Sequence, residues 1–426
     1  MSVFSNQGPR SPAGVLIGLP LLLFAASLVG TGVVEQPGLF VPLSLEMLLL
    51  LGVTWLVIAR ERDPNTRRWI LRLAFVAFAL RMGAFAFVHF ASNPYFFGPD
   101  AVGYEYNGAR LVSFWNGGPD PGPRVVGSSP FSYYYLNGLF LLLLGDSSLA
   151  VPMLNLFAGV WTCVVVFHLA RRILGEKYAK SAAVITAIFP SLILWSVLNL
   201  RDSLATFFVV FIVYVAVRLR ARFSLVFMVG LLLSLFALSQ LRDYVAFLVT
   251  AGVVLGYFLS ARPGKIGSTL FIGILAAVGM AYVLQSVGVF ERVIVDDPLW
   301  QMSLIREGMG ANAGSSYGAG FDTSTFGGAM RFLPFGISFL LFAPFPWAIE
   351  SPLQMAAMPE TLLWYPLFVA SLIGIRMAVG EGRAWIPIAV LVCLACTYAL
   401  VEGNFGTAYR HRAQFMPIFF VFAGAG

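Results

Sequence analysis

The chain has 426 residues, of which 59% are hydrophobic, 15% aromatic and only 11% charged, with 27 Lys and Arg against 20 Asp and Glu. Soluble domains run at about 25% charged residues, so this chain has too little charge to clothe a water-facing globule. The same numbers exclude disorder, coiled coil and collagen, and three cysteines build no disulfide framework.

What remains is an all-α polytopic membrane protein, since a span uses about 20 apolar residues and a dozen spans use about 240. In chain order, the first apolar run is Ala13 to Val34, behind a short head containing Arg10. It is longer than the apolar core of a secretory signal, about 7–15 residues, and is expected to be an uncleaved span. The runs together predict about 12 transmembrane helices, at 14–34, 38–59, 69–90, 149–169, 180–198, 203–218, 223–239, 243–260, 267–285, 361–376, 385–400 and 412–426. Two shorter stretches, 131–145 and 333–348, are interrupted by Pro, Gly, Ser and Tyr. They are expected to be surface or re-entrant helices in the outer loops.

Lys and Arg stay on the cytoplasmic side in short loops. With the N-terminus inside, alternate loops hold Arg60, Arg62, Arg67 and Arg68; Arg171, Arg172, Lys177 and Lys180; Arg218, Arg220 and Arg222; Arg262 and Lys265; and Arg376 and Arg383. This alternation predicts both termini in the cytosol of a cytoplasmic (inner) membrane. Of the acids, only Glu61, Asp63, Glu176 and Glu381 fall in cytoplasmic loops, and Glu46 lies within the second span. Chemistry that uses charge is therefore expected on the outer face. The chain reads as a single integral membrane domain with two long outer loops, 91–148 and 286–360. Within the second loop, Gly308 to Met330 holds seven glycines and is expected to be mobile.

In the first outer loop, Gly98-Pro99 breaks the chain and places Asp100 at the start of a short helix, with Tyr104 on the same face and Glu105 beside it. Asp100 suits a helix cap, and it equally suits a general base at the membrane surface. Two tight outer turns each carry an Arg-Asp pair, Arg201-Asp202 and Arg242-Asp243. Such pairs can simply solvate a turn, but arginine also offers a planar fork of donors that fits phosphate. The last outer segment, Tyr409-Arg410-His411-Arg412, puts basic residues where positive-inside sorting does not, and an anionic ligand explains them most simply. His89, His168 and His411 show no metal-ligand spacing and are expected to be structural. Cys393-x-x-Cys396 falls in mid-span, where small buried apolar residues account for it.

The order of these parts resembles the polyprenyl-phosphate-sugar-dependent glycosyltransferases of the GT-C fold, including protein O-mannosyltransferases and lipid A aminoarabinose transferases. The residues that carry the resemblance are Asp100, Tyr104 and Ala109, the Pro-aromatic stretch ending in Leu144-Gly145, His168-Leu-Ala-Arg171, Phe189-Pro190, Leu200-Arg201-Asp202, and Tyr409-Arg410 through Pro417. It covers 69–260 and, more loosely, the C-terminus. By this resemblance, 69–285 is the GT-C-like core, 1–68 adds two spans before it, and 361–426 supplies the last three spans.

The resemblance implies a membrane enzyme that moves a sugar, with inversion, from a polyprenyl-phosphate-linked donor to a saccharide, lipid or protein acceptor at the outer face. Its partners are then that donor and membrane lipid, with no nucleic acid. Asp100 maps to the catalytic acid that deprotonates the acceptor, with Tyr104, Glu105 and Asp202 as supporting or acceptor-binding groups. Arg201, Arg242, Arg410 and Arg412 map to the donor phosphate. The resemblance fixes no cofactor with certainty and leaves a divalent metal open. Two features depart from the family. Asp100 is followed by Ala101 where many members have Glu, which leaves open whether Glu105 substitutes; and there is no large outer domain. A surface-polysaccharide polymerase or ligase would share the outward arginines but not the Asp100–Tyr104 spacing. A transporter or flippase of lipid-linked sugars would need mid-membrane charges and inverted repeats.

Overall fold

A backbone in lipid has no water to bond, so every N–H and C=O must find a partner inside the protein. In the computed structural model, which describes residues 40–122, 125, 131–260, 266–286, 288, 297–311, 316–318, 320–349 and 352–426, the chain meets this demand with helices. Among the described residues there is no strand, only an isolated bridge between Ser316 and Asn404. The helices are α1 (Phe40–Ala59), α2 (Pro64–Ala86), α3 (Pro94–Phe97), α4 (Asp100–Trp115), α5 (Phe131–Leu144), α6 (Ala150–Ile173), α7 (Glu176–Ile188), α8 (Pro190–Trp195), α9 (Asp202–Ala221), α10 (Leu225–Leu241), α11 (Asp243–Leu259), α12 (Ile266–Ser286), α13 (Pro298–Ala311), α14 (Phe326–Phe342), α15 (Pro352–Ala378), α16 (Trp385–Val401) and α17 (Phe405–Ala423). A π-helical turn, Phe87–Ala91, extends α2.

The first expected span, 14–34, lies outside the described residues, as do Arg10, Arg124, Arg262, Lys265 and Arg292. Among the described residues the later expected spans lie mostly on helix, with 180–198 broken and 412–426 helical to Ala423, and five stretches are long and apolar enough to cross a bilayer: Val41–Ala59, Pro64–Ala91, Ala150–Ile173, Asp202–Ala221 and Gln354–Ala378. The chain is an all-α, multi-pass membrane protein. Helix α5 has 14 residues, about 21 Å at 1.5 Å per residue, which is too short for a hydrocarbon core of about 30 Å.

Two expectations need correction. The run 180–198 is not one helix: α7 stops at Ile188, because Pro190 lacks the N–H that would continue it, and the chain leaves helix again after Trp195. Nor is Gly308–Met330 simply a loop. Helix α13 continues to Ala311, α14 begins at Phe326, and Arg306 donates to the Gly318 and Phe321 carbonyls at 2.8 and 2.5 Å.

Helix α6 is the central element, with 83% of its apolar window buried against 39% for α1 and 28% for α15. It packs on α7, α9 and α2. Outside the core, Leu45, Leu49, Val226, Phe271 and Val278 are all more than 60% exposed, the surface expected to face lipid. One end of the bundle carries the ion pairs Arg171–Glu61 (2.7 Å) and Lys180–Glu176 (2.9 Å), and Asp63 caps α2 there by accepting from the Asn65 and Thr66 amides. Gly175, at φ +95°, makes the turn from α6 into α7 at that end, a backbone state that glycine adopts without cost.

The most extensive helix contact is between α11 and α16, and small residues make it possible. A Cβ on Gly256 would sit 2.4 Å from Ile386 Cα, and one on Gly252 2.6 Å from Val390 Cα. This Gly-x-x-x-Gly pair lets two backbones meet where no hydrophobic effect drives helices together. Replacing Gly256 with Val is expected to cost about 1–3 kcal/mol through overpacking. A lowered thermal midpoint in detergent would be the signature; an unchanged midpoint would contradict the close contact.

Candidate active site

At the end of the bundle away from those ion pairs, the break between α8 and α9 creates the site. Unwound backbone inside a membrane protein needs side-chain partners, and Asn155 of α6, fully buried, provides them. Its side-chain amide nitrogen lies 2.8 Å from both the Leu198 and Leu200 carbonyl oxygens, and its backbone carbonyl accepts from Ser203 Oγ at 2.7 Å. This fixes Arg201 and starts α9 at Asp202, whose charge suits a helix N-terminus. Arg242 stands in extended backbone between α10 and α11. Arg410 projects from α17 and Asp100 from the first turn of α4.

These residues, far apart in sequence, meet. Arg410 is the bridge. Its Nη1 donates to Asp100 Oδ2 at 2.6 Å, while Nε and Nη2 approach Asp202 Oδ2 at 2.7 and 2.6 Å. The other oxygen of Asp202 accepts from Arg242 Nη2 at 2.7 Å and from Gln414 Nε2 at 3.0 Å. The two carboxylates differ sharply in access: the Asp202 side chain is 3% exposed and the Asp100 side chain 53%. Asp202 is thus saturated and walled in, whereas Asp100 presents an oxygen outward. No side-chain cap is seen for α4; the Asp100 carboxylate turns to Arg410 instead of to its own helix.

Tyr104, one turn along α4, packs edge-on against Tyr133 with ring centroids 4.7 Å apart. Burial pushes its phenol up, while Arg201 and Arg410 pull it back, which places the hydroxyl within their field. Glu105 faces another way: it accepts from the Tyr95 hydroxyl at 2.7 Å and from Asn199 Nδ2 at 3.0 Å. Burial raises its pKa against those two bonds.

Arg201 donates Nη1 to the Leu241 carbonyl at 2.9 Å and forms no ion pair among the described residues, so its charge lies beside the cluster without a carboxylate of its own. Arg412 is not part of the cluster. Fully buried, it donates to the Leu341 and Ala343 carbonyls at 2.7 and 3.0 Å and lies over the Tyr409 ring, tying α17 to the end of α14. Two residues beyond Arg410 on a helix is about 200° around the axis, which turns the two guanidiniums to opposite faces.

Sequence reasoning assigned no site role to three residues that the structure adds. Gln414 reaches Asp202 as described and accepts from the Tyr398 hydroxyl at 2.7 Å. His411 lies 2.9 Å from Arg242 Nη1 through Nε2, and its Nδ1 meets Glu402. A signal for them existed, because ionisable or amide side chains inside an apolar segment are functional candidates by default. Among the described residues, no three His, Cys, Asp or Glu side chains form a metal-ligating group. Cys393 and Cys396 are free thiols and half-buried, not fully buried as expected.

Residues 128–287 match the family model described as dolichyl-phosphate-mannose-protein mannosyltransferase, which bears out the resemblance to the GT-C glycosyltransferases. No curated protein matches the chain. Among solved structures, it is similar to the oligosaccharyltransferase AglB of Archaeoglobus fulgidus in complex with an inhibitory peptide and a dolichol-phosphate. The identity is 14% and the TM-score 0.49, over 85% of this chain and 50% of that one. It is also similar to an oligosaccharyltransferase from Archaeoglobus fulgidus tethered to an acceptor peptide, at 17% identity and a TM-score of 0.36, over 68% and 40% of the two chains. The chain thus spans half the length of these enzymes or less. Over residues 128–287 it resembles the glycosyltransferases that this family model describes.

Proposed function

We propose that this chain transfers a sugar from a polyprenyl-phosphate donor to an acceptor hydroxyl or amide at the outer face of the cytoplasmic membrane, with both termini in the cytosol. The observation that carries the reading is the bridge at Arg410, one guanidinium holding a half-exposed acid and a buried acid together. The donor geometry follows from access. Asp100 has an outward oxygen for the acceptor proton; Asp202, bonded on both oxygens, is a scaffold that fixes Arg410 and Arg242 rather than a base.

In the reaction, the acceptor heteroatom attacks the anomeric carbon from the face opposite the phosphate. Its proton passes to Asp100 as the carbon–oxygen bond to the phosphate breaks, and the electron pair leaves on polyprenyl phosphate with inversion at carbon. Arg201, a cation without a carboxylate partner among the described residues, is placed to take the departing phosphate's charge beside Arg410. Preorganised donors of this kind are worth most where water is scarce. Tyr104 is close enough to Asp100 and Arg201 for the charge of each to act on its hydroxyl. Arg412 has no part in it.

This division of labour separates two kinetic constants. Arg201→Gln should weaken both the donor and the product polyprenyl phosphate, which carries more charge once the sugar has left. Inhibition by added polyprenyl phosphate should weaken about 10-fold or more, since a hydrogen bond to a charged group is worth about 1.5–3 kcal/mol. Undiminished product inhibition in that variant would move the phosphate elsewhere.

A further inference from the structure

The buried pair Glu402–His411 stands behind Arg242, and its hydrogen-bond polarity is forced. Arginine has five donors, no acceptor, and stays charged. Nη1 of Arg242 is shared between the Tyr244 hydroxyl at 2.8 Å and His411 Nε2 at 2.9 Å. Nε2 must therefore present its lone pair. An imidazole carries at least one proton, so that proton is on Nδ1 and is donated to Glu402, which is fully buried. His411 is consequently a neutral Nδ1–H imidazole, wedged against the Tyr398 ring at 4.9 Å between centroids.

Resting on the transferase reading above, we infer that His411, oriented by Glu402, is a positioning residue: as a neutral acceptor it aims the Arg242 guanidinium at Asp202, and taking up a second proton releases that aim. With Nε2 protonated, one N–H would point at another 2.9 Å away, and Arg242 would have to swing. Asp202 would then lose the charged one of its two donors on Oδ1, keeping only Gln414 opposite Arg410, and the position of Asp100 depends on Arg410 in turn.

The charged and titratable groups that face the imidazole are Glu402 after α16, Tyr398 within α16, Arg242 just before α11 with Tyr244 in its first turn, and Asp202 beyond Arg242 at the start of α9. Glu402 favours the imidazolium and Arg242 opposes it. The other oxygen of Glu402, Oε2, is buried and has no hydrogen-bond partner among the described residues, so the contact to the ring is the one hydrogen bond seen for that carboxylate. Burial, the largest influence, holds the imidazole below its ordinary pKa, with Arg242 adding to this and Glu402 opposing it, so transfer is expected to be lost only as pH falls below the ordinary histidine range.

The direct test reads the tautomer without turnover. In ¹⁵N-histidine-labelled full-length protein at pH 8, the resonances that disappear in His411→Gln should be those of a neutral ring protonated on Nδ1. A ring protonated on Nε2, or an imidazolium at that pH, overturns the inference. The second test is the acid limb of kcat against pH. In His411→Gln the amide oxygen can still accept from Arg242 but does not titrate, so the limb should move to lower pH than in the wild type. Glu402→Gln keeps an acceptor for Nδ1–H and removes the charge that stabilises the imidazolium, and should also move the limb down. A purely structural pair would leave the limb where it is while lowering the rate, and that result also overturns the inference. If the wild type consumes no lipid-linked sugar, the transferase reading fails, and the nitrogen resonances alone decide the place of His411.

Discussion

Asp100→Asn is expected to lower single-turnover transfer about 10²–10⁴-fold, the worth of a positioned general base, while the protein folds as before. Stability should hardly change, because the lost ion pair is half-exposed and such surface pairs contribute about 0–1 kcal/mol. Asparagine keeps the shape and still accepts from Arg410 through its amide oxygen, so donor binding should be retained. The signature is a fall in kcat with a nearly constant donor KM, read alongside an unchanged thermal midpoint. Should Asp100→Asn turn over at the wild-type rate, Asp100 would leave the mechanism and the proton would have to go elsewhere.

Asp202→Asn is expected to do the reverse in kind: its largest effect is on the protein itself. Asp202 neutralises Arg242 and Arg410 from a site where its own side chain is 3% exposed. Removing one partner of a buried ion pair typically costs about 3–5 kcal/mol, because the remaining charge is left without compensation, and here two guanidiniums share the acid. The variant should unfold at a markedly lower temperature in detergent, and the remaining folded protein should transfer poorly because Arg410 no longer has its anchor. Pairing it with Arg242→Met should restore part of the lost stability, since the double variant buries one fewer cation. If Asp202→Asn melts with the wild type, the acid is not the keystone of the cluster.

The spans were legible because a lipid-facing helix announces itself by composition: runs such as 38–59 and 203–218 coincide with α1 and α9. The break inside 180–198 was less legible, although Pro190 was in view, because apolar residues continue on both sides and the partners that tolerate the break, Asn155 above all, lie in another helix. The cluster itself was half legible. Asp100, Asp202, Arg242 and Arg410 stood out as charges where lipid and positive-inside sorting give no reason for them, and the structure brings all four together. Arg412 carried the same signal but serves the carbonyls of Leu341 and Ala343. Its direction depends on helix phase and on a contact some 70 residues away in sequence, and neither is written in local pattern. His411 was read as structural, and Glu402 and Gln414 were passed over, because each looks ordinary until Arg242 and Asp202 are seen beside it.

The most direct measurement is to incubate the purified full-length protein with a panel of polyprenyl-phosphate sugars and a cell-envelope extract as the source of acceptor, and follow sugar transfer and polyprenyl phosphate release, with Asp100→Asn in parallel. The account predicts that the wild type discharges at least one donor, that the product sugar linkage is inverted, and that Asp100→Asn leaves the donor intact. Discharge by both proteins at equal rates, or no discharge of any donor by the wild type, would contradict it.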